Sequence, residues 1–409
     1  MERNVTSVDR DRIKQVEGET LKTFQEEIPS IYYSDKTAED FAKHKANAEY
    51  TYRDLFKFPP KMFEGSSVID FGAGTGEQSV YLTNWGATLT LVEMNKLAQD
   101  ISRDVFMKYA THPQKHRFVL SSIFDYNGAP GELYDIVHCR GVLSHTAAKE
   151  EAFRKISTFL KPGGYLIFGD PNKAGGFQNM LQRFAVYHYS KTPDEMVEVC
   201  ETLFKEDIDR SQSFVPRTRR SIIFDRWVIQ SQDDPSVAEV VRWMRDCGLR
   251  LYSSQPPVLM PLLADSFYHQ PKFEPSSATG LLAIPELVWM LHTEADAVNV
   301  AAISRNADGF AKRMSELTSC VANFNTSSKL EMKRLERLTG DLQSSVESLH
   351  LLDPVRNKLA VFLREVNDFV RLVLASDINA LRAFVVSTKV LFKGACGVRH
   401  VDYVAYKPR

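Results

Sequence analysis

Val68-Ile69-Asp70-Phe71-Gly72-Ala73-Gly74-Thr75-Gly76-Glu77 is the stretch on which the reading of the chain turns. Val68 and Ile69 close a short apolar run, the mark of a buried strand. Three glycines then alternate with other residues, and Gln78-Ser79-Val80-Tyr81-Leu82 resumes with helical spacing. Glycine reaches positive φ and lets a ligand approach the backbone closely. A helix N-terminus behind the turn offers free N–H groups and a partial positive charge, which suits a carboxylate or a phosphate. The spacing departs from the dinucleotide fingerprint Gly-x-Gly-x-x-Gly. Gly72-x-Gly74-x-Gly76 is one residue shorter and has Asp70 two positions before its first glycine.

Outward from this turn, residues 66–171 alternate strand and helix signals, which predicts an α/β fold with a parallel sheet. After the strand ending at Asp70, Ala87 to Glu93 reads as a second strand that closes on an acid. Arg117 to Ser122, Tyr134 to Cys139 and Tyr165 to Asp170 read as the third, fourth and fifth, the last entered through the turn Lys161-Pro162-Gly163-Gly164. Ligands of such sheets bind at the carboxyl ends of the strands, so the polar groups there are the site candidates. Residues 171–222, irregular and then helical, are too long for a connection and read as a cap after the fifth strand. An amphipathic helix at 236–244 and a sixth strand at 249–254 follow.

Three further segments flank this core. Residues 1–60 are charged and aromatic with helical patches, among them Ile31-Tyr32-Tyr33 and Tyr50-Thr51-Tyr52-Arg53, and Pro59-Pro60 stops any helix there. Residues 255–280 hold several prolines and form the best linker. Residues 281–393 are helical: Phe310, Met314, Leu317, Val321 and Phe324 follow three-four spacing, and Leu335, Leu338, Leu342, Val346 and Leu349 nearly continue it. Asp353-Pro354 marks a helix start. Residues 394–409 contain a final alternating strand. The helical region is then either an insertion before that strand or a separate domain.

Composition sets outer limits. A chain of 409 residues can bury a large core, and a net charge of −1 gives no bulk pull toward nucleic acid or an anionic membrane. The five cysteines are scattered, with no CxxC pair, which argues against a disulfide framework or a zinc site and suits a reducing, cytoplasmic setting. The N-terminus lacks the apolar region of a signal peptide, and no run of 18 apolar residues predicts a membrane span.

Taken together, Asp70 to Gly76, the acid Glu93, the strand-four text Asp135-Ile136-Val137-His138-Cys139-Arg140-Gly141-Val142-Leu143-Ser144-His145-Thr146 and the turn Lys161 to Gly164 resemble the class I S-adenosylmethionine (SAM)-dependent methyltransferases, over roughly residues 60–255. The strand-four text is similar to that of members that modify small molecules. The resemblance implies a Rossmann-like sheet of seven strands, the seventh antiparallel, which the final strand would supply by returning to the core at 61–260. It implies that the N-terminal helices cover the cofactor, where the residues alone equally allow a surface helix packed on the sheet. It assigns SAM contacts to Asp70, Gly72, Ala73, Gly74 and Gly76, to Glu93 at the ribose, and to Met94, Ser122 and Ile123 around the adenine. Cys139 and Arg140 fall beside the methionine end and the methyl group. Many members carry an Asp where this chain has Ser122.

Methyl transfer to oxygen or carbon can require a base. His145 is the first candidate, being near the mouth of the site and titrating near neutrality, or else it is a capping or core histidine. His188 is the second, or else part of a packed amphipathic stretch, and Arg140 is either catalytic or a salt-bridge partner. Arg217, Arg219 and Arg220 read either as a site for a substrate carboxylate or phosphate or as a solvated surface. No metal is expected. The expected acceptor is a small molecule, O-methylation ahead of N- or C-: the Asn/Asp-Pro-Pro-Tyr/Phe pattern of nucleobase amine methylation is absent from strand four. Two other readings remain at this point: an NAD(P)-dependent oxidoreductase, and a non-catalytic SAM-binding or assembly protein working through 281–393. That helical surface also allows a homo-oligomer.

Overall fold

The computed structural model describes residues 7–26, 28, 37–214, 217–228, 234–258, 279–291, 307–324, 330–349, 353–393 and 400–409. The Ile31-Tyr32-Tyr33 cluster, most of the 255–280 linker, Cys396, Val398 and Arg399 lie outside them. Seven strands make one sheet: β1 Ser67–Phe71, β2 Thr88–Glu93, β3 Arg117–Leu120, β4 Tyr134–Arg140, β5 Leu160–Pro171, β6 Arg250–Gln255 and β7 His400–Tyr406. Their order is β3-β2-β1-β4-β5-β7-β6. The first five run parallel, and β7 runs antiparallel to both β5 and β6. This is the Rossmann-like order of seven strands, the seventh antiparallel, that the resemblance implies, with β7 drawn from the C-terminal segment.

Strand alternation divides the apolar residues between two faces. Val68 packs with Tyr52, Phe56, Phe63, Tyr81 and Phe106, whereas its neighbour Ile69 packs with Phe71, Val137, Phe153 and the helices beyond. The helices flanking the core are α1 Ser7–Glu26, α2 Ala38–Tyr50, α3 Val80–Asn84, α4 Lys96–Tyr109 and α5 Lys149–Ser157. Asn95 caps α4 by accepting from the Leu97 N–H at 3.1 Å.

The segment after β5 opens with a turn over residues 172–176 and is helical beyond it: α6 Phe177–Tyr189, α7 Pro193–Leu203, α8 Lys205–Phe214 and α9 Arg219–Ile223. Buried Phe177, Leu181 and Val186 give α6 an inward face that overrides its mixed sequence. Helix α10, Val237–Asp246, starts with a capping box between Ser236 and Glu239 and leads into β6. The remaining helices, α11 Ala283–Leu291, α12 Ala307–Ala322, α13 Met332–Glu347, α14 Asp353–Leu374 and α15 Ile378–Ser387, lie between β6 and β7 along the chain.

Those late helices share the main core. Phe310, Met314, Leu317, Val321, Leu335, Leu342 and Val346 are all buried within the single chain. Phe324 meets Phe184 of α6 at 5.6 Å between ring centroids, and Phe362 meets Phe177 at 5.8 Å. A polar tie adds to this: the buried carboxylate of Glu286 in α11 accepts from Asn172 Nδ2 at 2.7 Å and from the Val237 N–H at 2.8 Å. Among the described residues no helix is long and apolar enough to cross a membrane.

Candidate functional site

The glycine turn leaves β1 toward β2. The N–H groups of Gly72 and Ala73 donate to the Val92 carbonyl at 2.8 and 3.2 Å, so the turn is tied to the neighbouring strand. Gly72, Gly74 and Gly76 all take positive φ, at 68°, 54° and 72°. A Cβ at Gly72 would lie 2.5 and 2.6 Å from the two methyl carbons of Val142, so that position has no room for a side chain. The helix that follows, α3, is only five residues long. The turn itself, more than a long helix terminus, therefore shapes the site.

Glu93, at the end of β2, faces the same turn. One carboxylate oxygen accepts from the Gly74 N–H at 2.8 Å and the other from the Asn95 N–H at 2.7 Å. Burial pushes its carboxyl upward, against those backbone N–H groups. The Met94 N–H also acts on this carboxylate, which keeps part of its lone-pair capacity for ligand hydroxyls.

The end of β1 pairs directly with β4, Asp70 opposite His138. Asp70 accepts from the Ser79 hydroxyl and meets His138 Nδ1 at 2.7 Å, while His138 Nε2 meets the Tyr52 hydroxyl at 2.8 Å. An ionised Asp70 only accepts, so Nδ1 carries the proton and, with the ring neutral, the Tyr52 hydroxyl donates to Nε2. Both His138 nitrogens are thereby engaged within the protein. Burial pushes the Tyr52 phenol up to about 12, the nearby Arg140 charge opposing it.

A cavity of about 460 Å³ opens over these strand ends. Gly72, Ala73, Gly74, Glu93 and Met94 line one side, Ser122 and Ile123 continue it, and Asp70 and His138 lie at its base. Glu17, Thr20 and Phe24 of α1 and Ile28 after it form its roof. Thr20 donates to the His145 carbonyl at 3.3 Å, and the Phe24 ring meets the His145 ring edge-on at 5.1 Å. Ser122 is not empty of partners: it donates to Asp125, whose carboxylate pairs with Lys14 of α1 at 2.6 Å.

Of the residues expected from sequence at the site, Asp70, Gly72, Ala73, Gly74, Glu93, Met94, Ser122, Ile123, Arg140 and His145 line this cavity. Gly76 and Cys139 are not among its lining residues. Cys139 is fully buried in the core, where burial drives its thiol far upward, so it is no nucleophile. Arg140 forms a two-point ion pair with Asp402 of β7, Nε at 2.7 Å and Nη2 at 3.1 Å, and its guanidinium lies 5.0 Å from the Phe56 ring centroid. That pairing makes it a structural cation of the wall. His188 is at the far end of α6, where Nε2 meets the Ser376 hydroxyl at 2.9 Å. It faces the late helices and is not brought to the cavity. The basic cluster is divided: Arg217 lines the cavity, Arg219 pairs with Glu201 and Asp209, and Arg220 pairs with Asp194.

The opposite wall comes from the cap after β5, which the sequence marks as a segment though not residue by residue apart from Arg217, and from segments beyond it. Asn179, Met180 and Arg183 of α6 line it, with Asp225, Arg226 and Asp234 after α9 and His400 at the start of β7. Behind it, Asp170 ends β5 fully buried, with one oxygen accepting from the Ser144 N–H at 3.0 Å. Burial pushes its carboxyl up to about 7, with the Lys149 charge opposing.

The residues present fit SAM: a glycine turn with no side chains for a backbone-hugging amino-acid end, an acid with spare lone pairs for a ribose diol, and apolar Met94 and Ile123 for a base. Residues 43–203 match the family described as methyltransferase domain. A ubiquinone biosynthesis O-methyltransferase of Vibrio vulnificus (strain YJ016) is 25% identical over 148 residues, covering 34% of this chain and 62% of that protein. A counterpart from Vibrio parahaemolyticus is 28% identical over 109 residues, covering 27% of this chain and 45% of that protein. The chain thus spans less than two thirds of the length of these relatives. Among solved structures, the plantazolicin methyltransferase BpumL with S-adenosylhomocysteine (SAH) and a desmethyl analogue is 13% identical, covers 59% of this chain and 81% of its own, and superposes at a TM-score of 0.33. The N-methyltransferase NodS of Bradyrhizobium japonicum WM9 with SAH is 16% identical, covers 38% and 75%, and superposes at 0.29. Residues 43–203 thus match a methyltransferase domain, and the sheet order and the glycine turn closed by Glu93 agree with the class I, SAM-dependent kind.

Proposed function

We propose that the chain transfers a methyl group from SAM to a small-molecule acceptor, with oxygen the favoured acceptor atom. The observation that carries this reading is Glu93: its carboxylate is pinned by the Gly74 and Asn95 N–H groups while facing the cavity that the glycine turn lines. The preference for oxygen draws support from the Vibrio relatives, which are O-methyltransferases. A cytoplasmic setting belongs to the same reading, since Cys139, Cys200, Cys247 and Cys320 are free thiols.

When bound, SAM supplies a methyl group already activated by its sulfonium, so the protein's work is alignment and exclusion of water. In this reading Glu93 accepts the ribose hydroxyls. Gly72 and Gly74 bring backbone against the amino-acid end, and Met94 and Ile123 cover the base. Asp70 is held rigid by Ser79 and His138, and so presents a fixed negative edge to the ammonium group. Helix α1 shields the site through Glu17, Thr20 and Phe24. His145, under that roof, is the residue to take a proton from an oxygen acceptor. The late helices bury their apolar stripes within one chain, so a single copy holds a complete site in this reading.

Titration calorimetry with SAH is the test. The full chain is expected to bind one SAH. Glu93→Ala removes the acceptor of two hydroxyls, each bond to a charged group contributing about 1.5–3 kcal/mol, which predicts a loss of affinity of at least about a hundredfold. Absence of SAH binding by the unaltered chain overturns the reading, and unchanged affinity in the variant removes Glu93 from the site.

A further inference from the structure

Besides Glu17, Asp70 and Glu93, the cavity is lined by Arg140, Arg183, Arg217 and Arg226, with Asp225 and Asp234. Some of these charges are balanced locally. Arg140 pairs with Asp402, Arg217 Nη1 lies 3.0 Å from Asp225, and Lys149 lies 3.9 Å from Asp234. Two features go beyond a basic surface. Arg183 is 1% exposed, so its cation has been taken out of bulk water and set in the wall of a cavity. Its Nη1 donates to the Arg226 carbonyl and its Nη2 to the Tyr187 hydroxyl, both at 3.4 Å. One turn earlier on the same face of α6, Asn179 donates through Nδ2 to the Arg226 carbonyl at 3.2 Å, and its buried Oδ1 accepts no hydrogen bond from any described residue. A buried acceptor left without a donor is costly, and the cavity beside it is where a donor can arrive.

We propose that the acceptor is an anion: a small molecule bearing a carboxylate or phosphate, together with a hydroxyl or amine that donates to Asn179. The anionic group is held by Arg183 and Arg217, whose forked donors suit planar or tetrahedral oxyanions. Asp225 tempers Arg217 and keeps the subsite from binding anions too tightly to release a product. This rests on the methyltransferase reading and narrows its substrate class. It also explains the divided basic cluster, in which Arg219 and Arg220 are consumed by α7 and α8 carboxylates while Arg217 turns inward.

The test is calorimetry on the full chain, with and without saturating SAH, using inorganic phosphate, the hydroxy acid mandelate and its neutral counterpart mandelamide. Saturable binding of at least one anion is expected, with mandelamide at least about tenfold weaker than mandelate if the group is a carboxylate. Phosphate alone binding assigns the oxyanion as phosphate. Arg183→Gln and Arg217→Gln should each weaken the anion at least about tenfold with SAH affinity unchanged, which also reports that the variant is folded. Asp225→Asn should tighten it about threefold or more. If Arg183→Gln does not fold, Arg217→Gln and Asp225→Asn carry the test. SAH binding with no anion binding, or anion affinities unmoved by these substitutions, overturns the proposal. Anion binding without SAH binding overturns the methyltransferase reading and leaves the anion subsite standing.

Discussion

Asp402→Asn is the substitution whose consequence can be worked furthest. Asp402 sits on β7 opposite Gly169 of β5, and its carboxylate fills the space that any side chain at 169 would need. It accepts from Arg140 at 2.7 and 3.1 Å, and the two side chains are 11% and 22% exposed. Removing one member of a buried pair leaves the other charge uncompensated, at a cost of about 3–5 kcal/mol, and the residual exposure of Arg140 puts this pair at about 2–3 kcal/mol. Arg140→Met should cost a similar amount, and the double variant little more than either single one, a coupling of about 2 kcal/mol. Urea unfolding followed by tryptophan fluorescence reads these differences. The pH dependence gives a second check. Burial alone would raise the Asp402 carboxyl, but the Arg140 charge and His400 overcome it and hold the group well below its ordinary range. A depressed folded value means that the contribution is complete above the unfolded value near 3.8 and is lost as pH falls below it. The gap between wild type and Asp402→Asn should therefore be full at neutral pH and shrink toward pH 3. Additive single effects, or a gap that does not change on acidification, would refute the assignment of this pair as a strut of the site.

Three further outcomes are expected. Gly72→Ala places a methyl against Val142 at a positive φ; it should destabilise the chain by about 1–3 kcal/mol and weaken SAH binding at least about tenfold, as read by urea unfolding and calorimetry, and wild-type SAH affinity would remove the turn from the cofactor site. Glu286→Gln retains an oxygen to accept from Asn172 and Val237 but cannot ionise. Burial raises the Glu286 carboxyl to about 7, so wild-type stability should fall as pH rises from about 4.5 to 7, while the variant lacks that slope and is more stable at pH 8 by up to about 3 kcal/mol. Tyr52→Phe keeps the ring packing against Phe56, Phe63 and Trp85 but takes the donor from His138 Nε2; a loss of about 1–3 kcal/mol is expected, and no loss would argue against the Tyr52-His138-Asp70 chain.

The parts legible in the sequence are those set by local pattern. The glycine turn, the strands around it and the acid Glu93 follow from apolar runs that end at polar residues, and the three-four spacing of residues 310–349 marks buried helix faces. What was hidden depends on pairing across distance. Arg140 and Asp402 are 262 positions apart, and nothing in either neighbourhood announces the other. His138 was quoted within the strand-four text, yet its role depends on the register that sets it against Asp70. Arg183 sits in an amphipathic helix where an arginine reads as surface, and the surrounding α6–α9 packing is what turns it inward. His188 on the same helix shows the converse: its residue type suggested chemistry, and the late helices claimed it through Ser376.

The position of β7 has a consequence for how the protein comes into being. Strand β5 is complete at Pro171 and β6 at Gln255, yet the strand that joins them begins only at His400. During synthesis, both strands present unpaired N–H and C=O groups along their facing edges, the kind of edge that recruits other chains. The late helices α11–α15 emerge in that interval and have to settle without blocking the slot. Closure of the sheet is then a contact between distant parts of the chain, intrinsically slow and open to misassembly while it waits. Because Asp402 arrives with that strand, the wall at Arg140 is completed in the same step, and a nascent fragment that stops before β7 has every cofactor-side residue in place while lacking the strut that holds the far wall.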